Sequence, residues 1–429
     1  MQRIEAGRLV PGRGEPIRDG CVVLEDDAIR YAGPLAQAPA TPGAAVFQVP
    51  TVMPGLWDCH THFMGSITPD LASLAASPPA LLAMRAARDA AVALDAGFTS
   101  VREVGGLGVW VARAVEEGTV QGPSVYAAGA VLSTTGGHAD LHMFPPDWVC
   151  DLADRVGMLR QCDGVPECLK AVRLQLRNGA RLIKICASGG VMSEIDNPIH
   201  QQFSGEEMRA IVEEAGRAER IVAAHCHGKP GIMAALEAGV RTIEHGTYLD
   251  EEAADAMRES GAVLVPTRHI VEEFLAHGKA SGLPDYACRK LVAIADRHFE
   301  AIAVAHDRGV SIALGTDIAG SGRSAPAHWG QNGSELSHLV RAGLSSLEAI
   351  EAATAAGPST LGPQAPRSGV LAEGYGADVI GVGGDPVGDV SLLAEPSNVT
   401  HVWKAGSLVK APAAGSGTTG SSSPSPSSS

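Results

Sequence analysis

Basic residues are few in this sequence relative to acidic ones: 33 Lys and Arg stand against 48 Asp and Glu, and no basic run interrupts the 429 residues. The formal charge of -15 argues against a nucleic-acid or anionic-membrane partner. Long apolar runs are missing too, so no membrane span is expected. The opening MQRIEAGRLVPGRGEPIRDG lacks the apolar stretch of a secretory signal. Eight cysteines, at 21, 59, 150, 162, 168, 186, 226 and 288, form no CxxC pair. They are expected to be small buried thiols in a reduced compartment, the cytoplasm, with a Cys162–Cys168 disulfide as the lesser alternative. Aromatics are only 4%, while 51 glycines and abundant alanine suit close packing of helices on a sheet.

What the sequence does contain is a change of pattern near residue 51. Residues 1–50 give short strand-like runs such as CVVLEDDAIRYAG, punctuated by Gly and Pro. From there apolar strands alternate with Ala-rich helices. The strand candidates are 51–58, 99–104, 123–131, 181–187, 220–226, 241–245, 262–266 and 310–317, with helices expected over 80–95, 204–219, 229–238, 250–260 and 285–308. Eight such units close a (β/α)8 TIM barrel, expected over 51–360. Two further helices, 333–342 and 345–356, precede a return to strand-like runs over 361–410. Those runs and residues 1–50 are expected to form a small β-sandwich domain from both chain ends. The tail, 411–429, has too little to bury and is expected to be disordered. A doubly wound open sheet is the alternative, but no GxGxxG follows an early strand.

Barrel chemistry sits at the C-terminal ends of strands. The first expected strand leads into DCHTH, with His60 and His62 two residues apart and so on one face of an extended chain. The fourth carries Lys184, the fifth leads to His225 and His227, the sixth ends at His245 and the eighth at Asp317. Each residue alone has a structural reading, but together they point to a metal site. Imidazole and carboxylate ligands fit catalytic Zn(II) and tolerate Mn(II) or Co(II). A cationic lysine bridges metals poorly, whereas its carbamate supplies two oxygens.

PGLWDCHTH, IKICASGGV, AAHCHG, TIEHG and LGTD resemble the amidohydrolase superfamily, and EGYGADVIGVGGDP resembles the segment with which its members re-enter their small β domain. GFTSVREVGG, STTGGHAD and GGVMSEIDNPIHQQFS are most similar to its Xaa-Pro dipeptidase-like and ochratoxinase-like branch. The resemblance implies two divalent ions, Zn(II) by expectation. It makes His60 and His62 ligands of the first and His225 and His245 ligands of the second. Lys184, N6-carboxylated, would bridge them, and Asp317 would bind the first metal and handle the proton. His227 is implied as a group meeting the substrate and its developing oxyanion.

The expected reaction is hydrolysis of an amide in a dipeptide or N-acyl amino acid, ochratoxin A included, by a homo-oligomer. His138, Arg323 and His328 lie on loops after the third and eighth strands and are candidate substrate contacts. Arg102 and Tyr126 fall inside expected strands and read as structural, and Asp58 reads as a supporting acid. A cyclic-amide hydrolase of the same superfamily is the alternative reading, and a non-catalytic scaffold is a weaker one because the ligand set is complete.

Overall fold

In the computed structural model, which describes residues 1–412, eight parallel strands follow the expected order. They are Leu56–Ser66, Phe98–Glu103, Ser124–Ala127 continued by Val131–Ser133, Ile183–Cys186, Val222–Cys226, Thr242–His245, Val263–Val265 and Ser311–Ile312. With the short strands Leu159–Gln161 and Ile318–Gly320 at their edges, they form ladders of seven and four strands that meet at two seams. At one, the Cys59 N–H donates to the Leu314 carbonyl at 2.7 Å; at the other, the Arg181 N–H donates to the Ala127 carbonyl at 2.8 Å. Parallel pairing sets His225 beside Cys186 and His245 beside Cys226, so the strand ends come level at one rim. The tail expected to be disordered lies, from residue 413 on, outside the described residues.

Local sequence accounts for the helices. Pro79–Asp95 begins with proline at its first turn, where the missing N–H is harmless, and is followed by Gly97 at φ 89°. Gly205–Gly216 starts at Ser204, whose hydroxyl caps Glu207 while the Glu207 carboxylate returns to the Ser204 N–H. Helices Gly108–Glu116, Pro146–Val156 and Gly164–Asn178 complete the early units, although the sequence reading did not single them out.

The remaining strands make a seven-stranded mixed sheet in the order Ser407–Lys410, Val399–Lys404, Val379–Val382, Ala45–Pro54, Gln2–Leu9, Ile17–Glu25, Ala28–Pro34. It has its own core, including Ile4, Leu9, Leu24, Val52, Val379 and Trp403. Both chain ends build it, consistent with the composite β domain expected.

The expected strand 51–58 is divided. Thr51 to Pro54 pair with 379–382 in the mixed sheet, and the barrel strand starts only at Leu56. Gly55 is the changeover: its own N–H donates to Asp378 O, while the Leu56 N–H donates to Gly97 O. Thr99 presses so close that a Cβ on Gly55 would lie 2.1 Å from Thr99 Oγ1. Tyr126 is packing, as expected, stacked on Trp57 with centroids 5.2 Å apart.

Gly55→Ala should therefore cost roughly 1–3 kcal/mol through overpacking and lower Tm. Adding Thr99→Ala should recover much of it, because Thr99 Oγ1 has no hydrogen-bond partner to lose. Thermal melts of the single and double variants check this, and a double variant no more stable than Gly55→Ala would place the strain elsewhere.

Candidate metal centre

The rim gathers the sequence-predicted imidazoles into one cluster. Ring centroids of His60 and His245 are 4.9 Å apart, those of His225 and His245 are 4.5 Å apart, and those of His60 and His62 are 5.3 Å apart. Asp317 closes the ring, its carboxylate 3.0 Å from His62 Nε2 and 3.5 Å from His60 Nε2. Two groups offer ligand atoms within 4.8 Å of one another: His60, His245 and Asp317, and His225, His227 and His245. Lys184 lines the same cavity and is buried. Among the described residues its ammonium forms no ion pair, and burial lowers its pKa.

Every imidazole is fixed by its other nitrogen, which is how proteins aim a ligand and set its tautomer. His62 Nδ1 donates to Gly105 O at 2.6 Å, leaving Nε2 to face Asp317. His225 Nε2 donates to Gly189 O at 3.1 Å, leaving Nδ1 free. His227 and His245 bond through Nδ1 to Thr247 Oγ1 and Thr267 Oγ1, both at 2.7 Å. His60 Nδ1 donates to the buried Glu244 carboxylate at 2.7 Å.

Burial favours the neutral form of His60, His225, His227 and His245, the form a ligand must take. It pushes His60 down to about 4, with the Lys184 charge assisting, and His227 down to about 3. Burial also holds His225 and His245 well below the usual histidine range. For His62 burial works the same way, but the bond to Asp317 outweighs it and raises the pKa. Burial opposes ionisation of Asp317, yet His60, His62 and Lys184 together push it down to about 2. A charged carboxylate, four imidazoles held neutral, His62 paired with that carboxylate and a buried lysine form a donor set that suits two divalent cations.

Two acids support the cluster. Asp58 accepts from the His60 N–H, the Thr316 N–H and hydroxyl, and the Asn332 amide, although burial raises it to about 6. Glu244 was not singled out from the sequence. Its carboxylate receives both Arg102 Nη2 contacts, at 2.7 and 2.8 Å, and burial's opposing effect is overcome chiefly by that guanidinium. A signal existed: Arg102 and Glu244 are opposite charges in two short strands expected to line the barrel, where neither is stable without a partner.

The loops divide. His138 lines the cavity, stacks on His225 at 4.2 Å and bonds Ser193 Oγ at 2.8 Å. Loop 188–204 contributes Val191 and Met192 to the wall and is braced by Lys290, which donates to the Gly190 and Ser193 carbonyls. Arg323 is exposed, and His328 turns its Nδ1 to the carbonyl of the adjacent Trp329; neither lines the cavity.

All eight cysteines are free, so Cys162 and Cys168 are not bridged. No helix among the described residues is long and apolar enough to cross a membrane.

The family profile described as "Amidohydrolase family" matches residues 51–409. Ochratoxinase of Aspergillus niger is 46% identical over 427 residues, covering 96% of this chain and 87% of that protein. Its crystal structure superposes with a TM-score of 0.87 at 44% identity, covering 96% of each chain. A Xaa-Pro dipeptidase with methionine bound in its active site matches at 31% identity with a TM-score of 0.82, over 95% of this chain and 99% of that one.

Replacing Arg102 by Met should cost roughly 3–5 kcal/mol, because Glu244 is left charged and buried without its partner. Denaturant melts should show the loss, and metal analysis should show reduced occupancy as His60 loses its anchor. Unchanged stability and metal content would show that the pair does not support the centre.

Proposed function

Because the chain belongs to the amidohydrolase family and its cavity gathers two groups of metal ligands, it is a metal-dependent amide-bond hydrolase, and we propose that it cleaves N-acyl amino acids and dipeptides bearing a large apolar group beside the scissile amide. The observation that carries this reading is the lining of one cavity of about 210 Å³. The histidines, Lys184 and Asp317 share it with Leu71, Leu74, Leu141, Ile270, Phe274 and Leu291. Such a wall favours aromatic and aliphatic groups over charged ones. A phenylalanine amide such as ochratoxin A fits this chemistry better than a Xaa-Arg or Xaa-Lys dipeptide.

In this reading His60, His62 and Asp317 would hold one ion, His225 and His245 would hold the other, and Lys184, N6-carboxylated, would serve both. Both ions are assigned as Zn(II), which imidazole and carboxylate donors suit. Bound there, the pair supplies Lewis acidity and a water of lowered pKa. Asp317, ionised and held at the edge of the cavity, takes the proton released as water adds to the amide carbonyl and returns it to the leaving nitrogen. The Thr247 hydroxyl donates to His227 Nδ1, leaving Nε2–H to meet the carbonyl oxygen as it gains charge. His138 is assigned to the substrate's carboxylate. Arg323 and His328 are left out of the proposed contacts because neither lines the cavity.

The eight free thiols support a reducing compartment, the cytoplasm. Assembly as a homo-oligomer acting on a small-molecule substrate completes the proposal.

Metal analysis should give about two equivalents per chain. Lys184→Ala should retain at most one; a wild-type value of one that is unchanged in Lys184→Ala would remove the bridging role. A hydrolysis panel with product identification should rank N-acyl-Phe amides, ochratoxin A among them, above Xaa-Pro and well above Xaa-Arg and Xaa-Lys. Turnover of cyclic amides alone would overturn the substrate class. Asp317→Asn should lower kcat by about 10²–10⁴-fold through loss of proton transfer.

A further inference from the structure

The two ligand corners are both anchored from behind by one turn, 332–335, no residue of which lines the cavity. Asn332 and Glu335 are fully buried in it. The Asn332 amide donates to Asp58 Oδ2 at 2.8 Å, and Asp58 in turn accepts from the His60 N–H and from the N–H and hydroxyl of Thr316. Through Asp58 the turn therefore holds the strand that carries His60 and the strand end that carries Asp317.

Three residues on, Glu335 reaches the opposite corner. Its two carboxylate oxygens accept separately from the Arg268 N–H at 2.9 Å and the His269 N–H at 2.6 Å. Those N–H groups follow Thr267, which sits buried at φ 59°, a left-handed conformation that a β-branched residue adopts only under constraint. Thr267 Oγ1 bonds His245 Nδ1 at 2.7 Å. A buried carboxylate satisfying two consecutive N–H groups is the device that keeps this backbone in place.

We infer that Asn332 and Glu335 are positioning residues that jointly set the spacing between the His60/Asp317 corner and the His245 corner, Asn332 tuning affinity for the metal ion at the first and Glu335 for the ion at the second. The inference rests on His245 being a ligand, as proposed above. Neither residue touches substrate or metal; each acts through another side chain, Asn332 through Asp58 and Glu335 through Thr267.

The test is metal affinity, measured by chelator competition, together with the absorption spectrum of the Co(II)-loaded protein. Glu335→Gln keeps shape but sets an amide NH2 against a backbone N–H. It should weaken the second metal by roughly 10–100-fold, the usual effect of losing an outer hydrogen-bond partner, and shift the Co(II) bands, while KM at saturating metal changes little. Asn332→Ala should weaken binding at the His60/Asp317 corner. Should Glu335→Gln fail to fold, Thr267→Val removes only the hydroxyl that holds His245, and Thr267→Ser should restore affinity. A folded Glu335→Gln with wild-type affinity and spectrum overturns the inference even if its Tm falls, and so does equal affinity in the two Thr267 variants. His245→Ala separates the premises: if it too leaves metal binding unchanged, the ligand assignment fails; if it abolishes binding while Glu335→Gln does not, only the positioning role fails.

Discussion

The Glu244 carboxylate lies fully buried inside the barrel, where an unpaired charge is not sustainable. The Arg102 guanidinium stabilises it from one side, the Thr242 hydroxyl donates to Oε1, and His60 Nδ1 donates to Oε2. Arg102 also donates to the Cys59 carbonyl and to Thr242 Oγ1, so one guanidinium ties together the first, second and sixth strands. The metal centre stands on this arrangement. His60 presents Nε2 to the cavity because its Nδ1–H is taken by the Glu244 carboxylate. A purely apolar barrel interior would be easier to stabilise but would leave the ring free to turn.

The same logic of constraint shows in the backbone. His245, Thr267 and Asp317 all have positive φ, at 70°, 59° and 60°. Such conformations cost on the order of 1–3 kcal/mol each for non-glycine residues, and they persist only where surrounding bonds over-determine them. Here the bonds are identifiable: Gly246 N–H to the Cys226 carbonyl after His245, the two Glu335 contacts after Thr267, and Asp317 N–H to the His60 carbonyl. The strand ends turn sharply, and the turn is what aims their side chains inward.

The ring of candidate ligands was legible because two simple rules coincide: alternation along a strand and the placement of barrel chemistry at strand ends. HxH at 60 and 62, His245 after an apolar run and Asp317 after LGT all follow from them. What supports the ligands was much less legible. Glu244 reaches His60 across 184 positions and Asn332 reaches Asp58 across 274, and no local pattern connects such pairs. Loop direction was equally hidden. His138 and Arg323 both lie on polar, glycine-bearing loops past a strand end, yet one side chain packs onto His225 and the other faces solvent. The division of 51–58 at Gly55 was obscured because both halves are apolar and extended, and only the partner strands distinguish them.

The composite sheet also constrains how the protein comes into being. Gln2–Leu9 and Ala45–Pro54 pair with each other early, but the edge of Ala45–Pro54 is covered only by Val379–Val382 and the strands beyond it. At ~5–20 residues per second, a ribosome takes on the order of tens of seconds to supply that missing strand. During this interval the first strands present an open edge beside a half-made barrel, a template for pairing with another nascent chain. Completion of the fold is thus tied to synthesis of residues 379–410, and a chain truncated before residue 379 leaves the barrel's entry strand attached to an unfinished sheet.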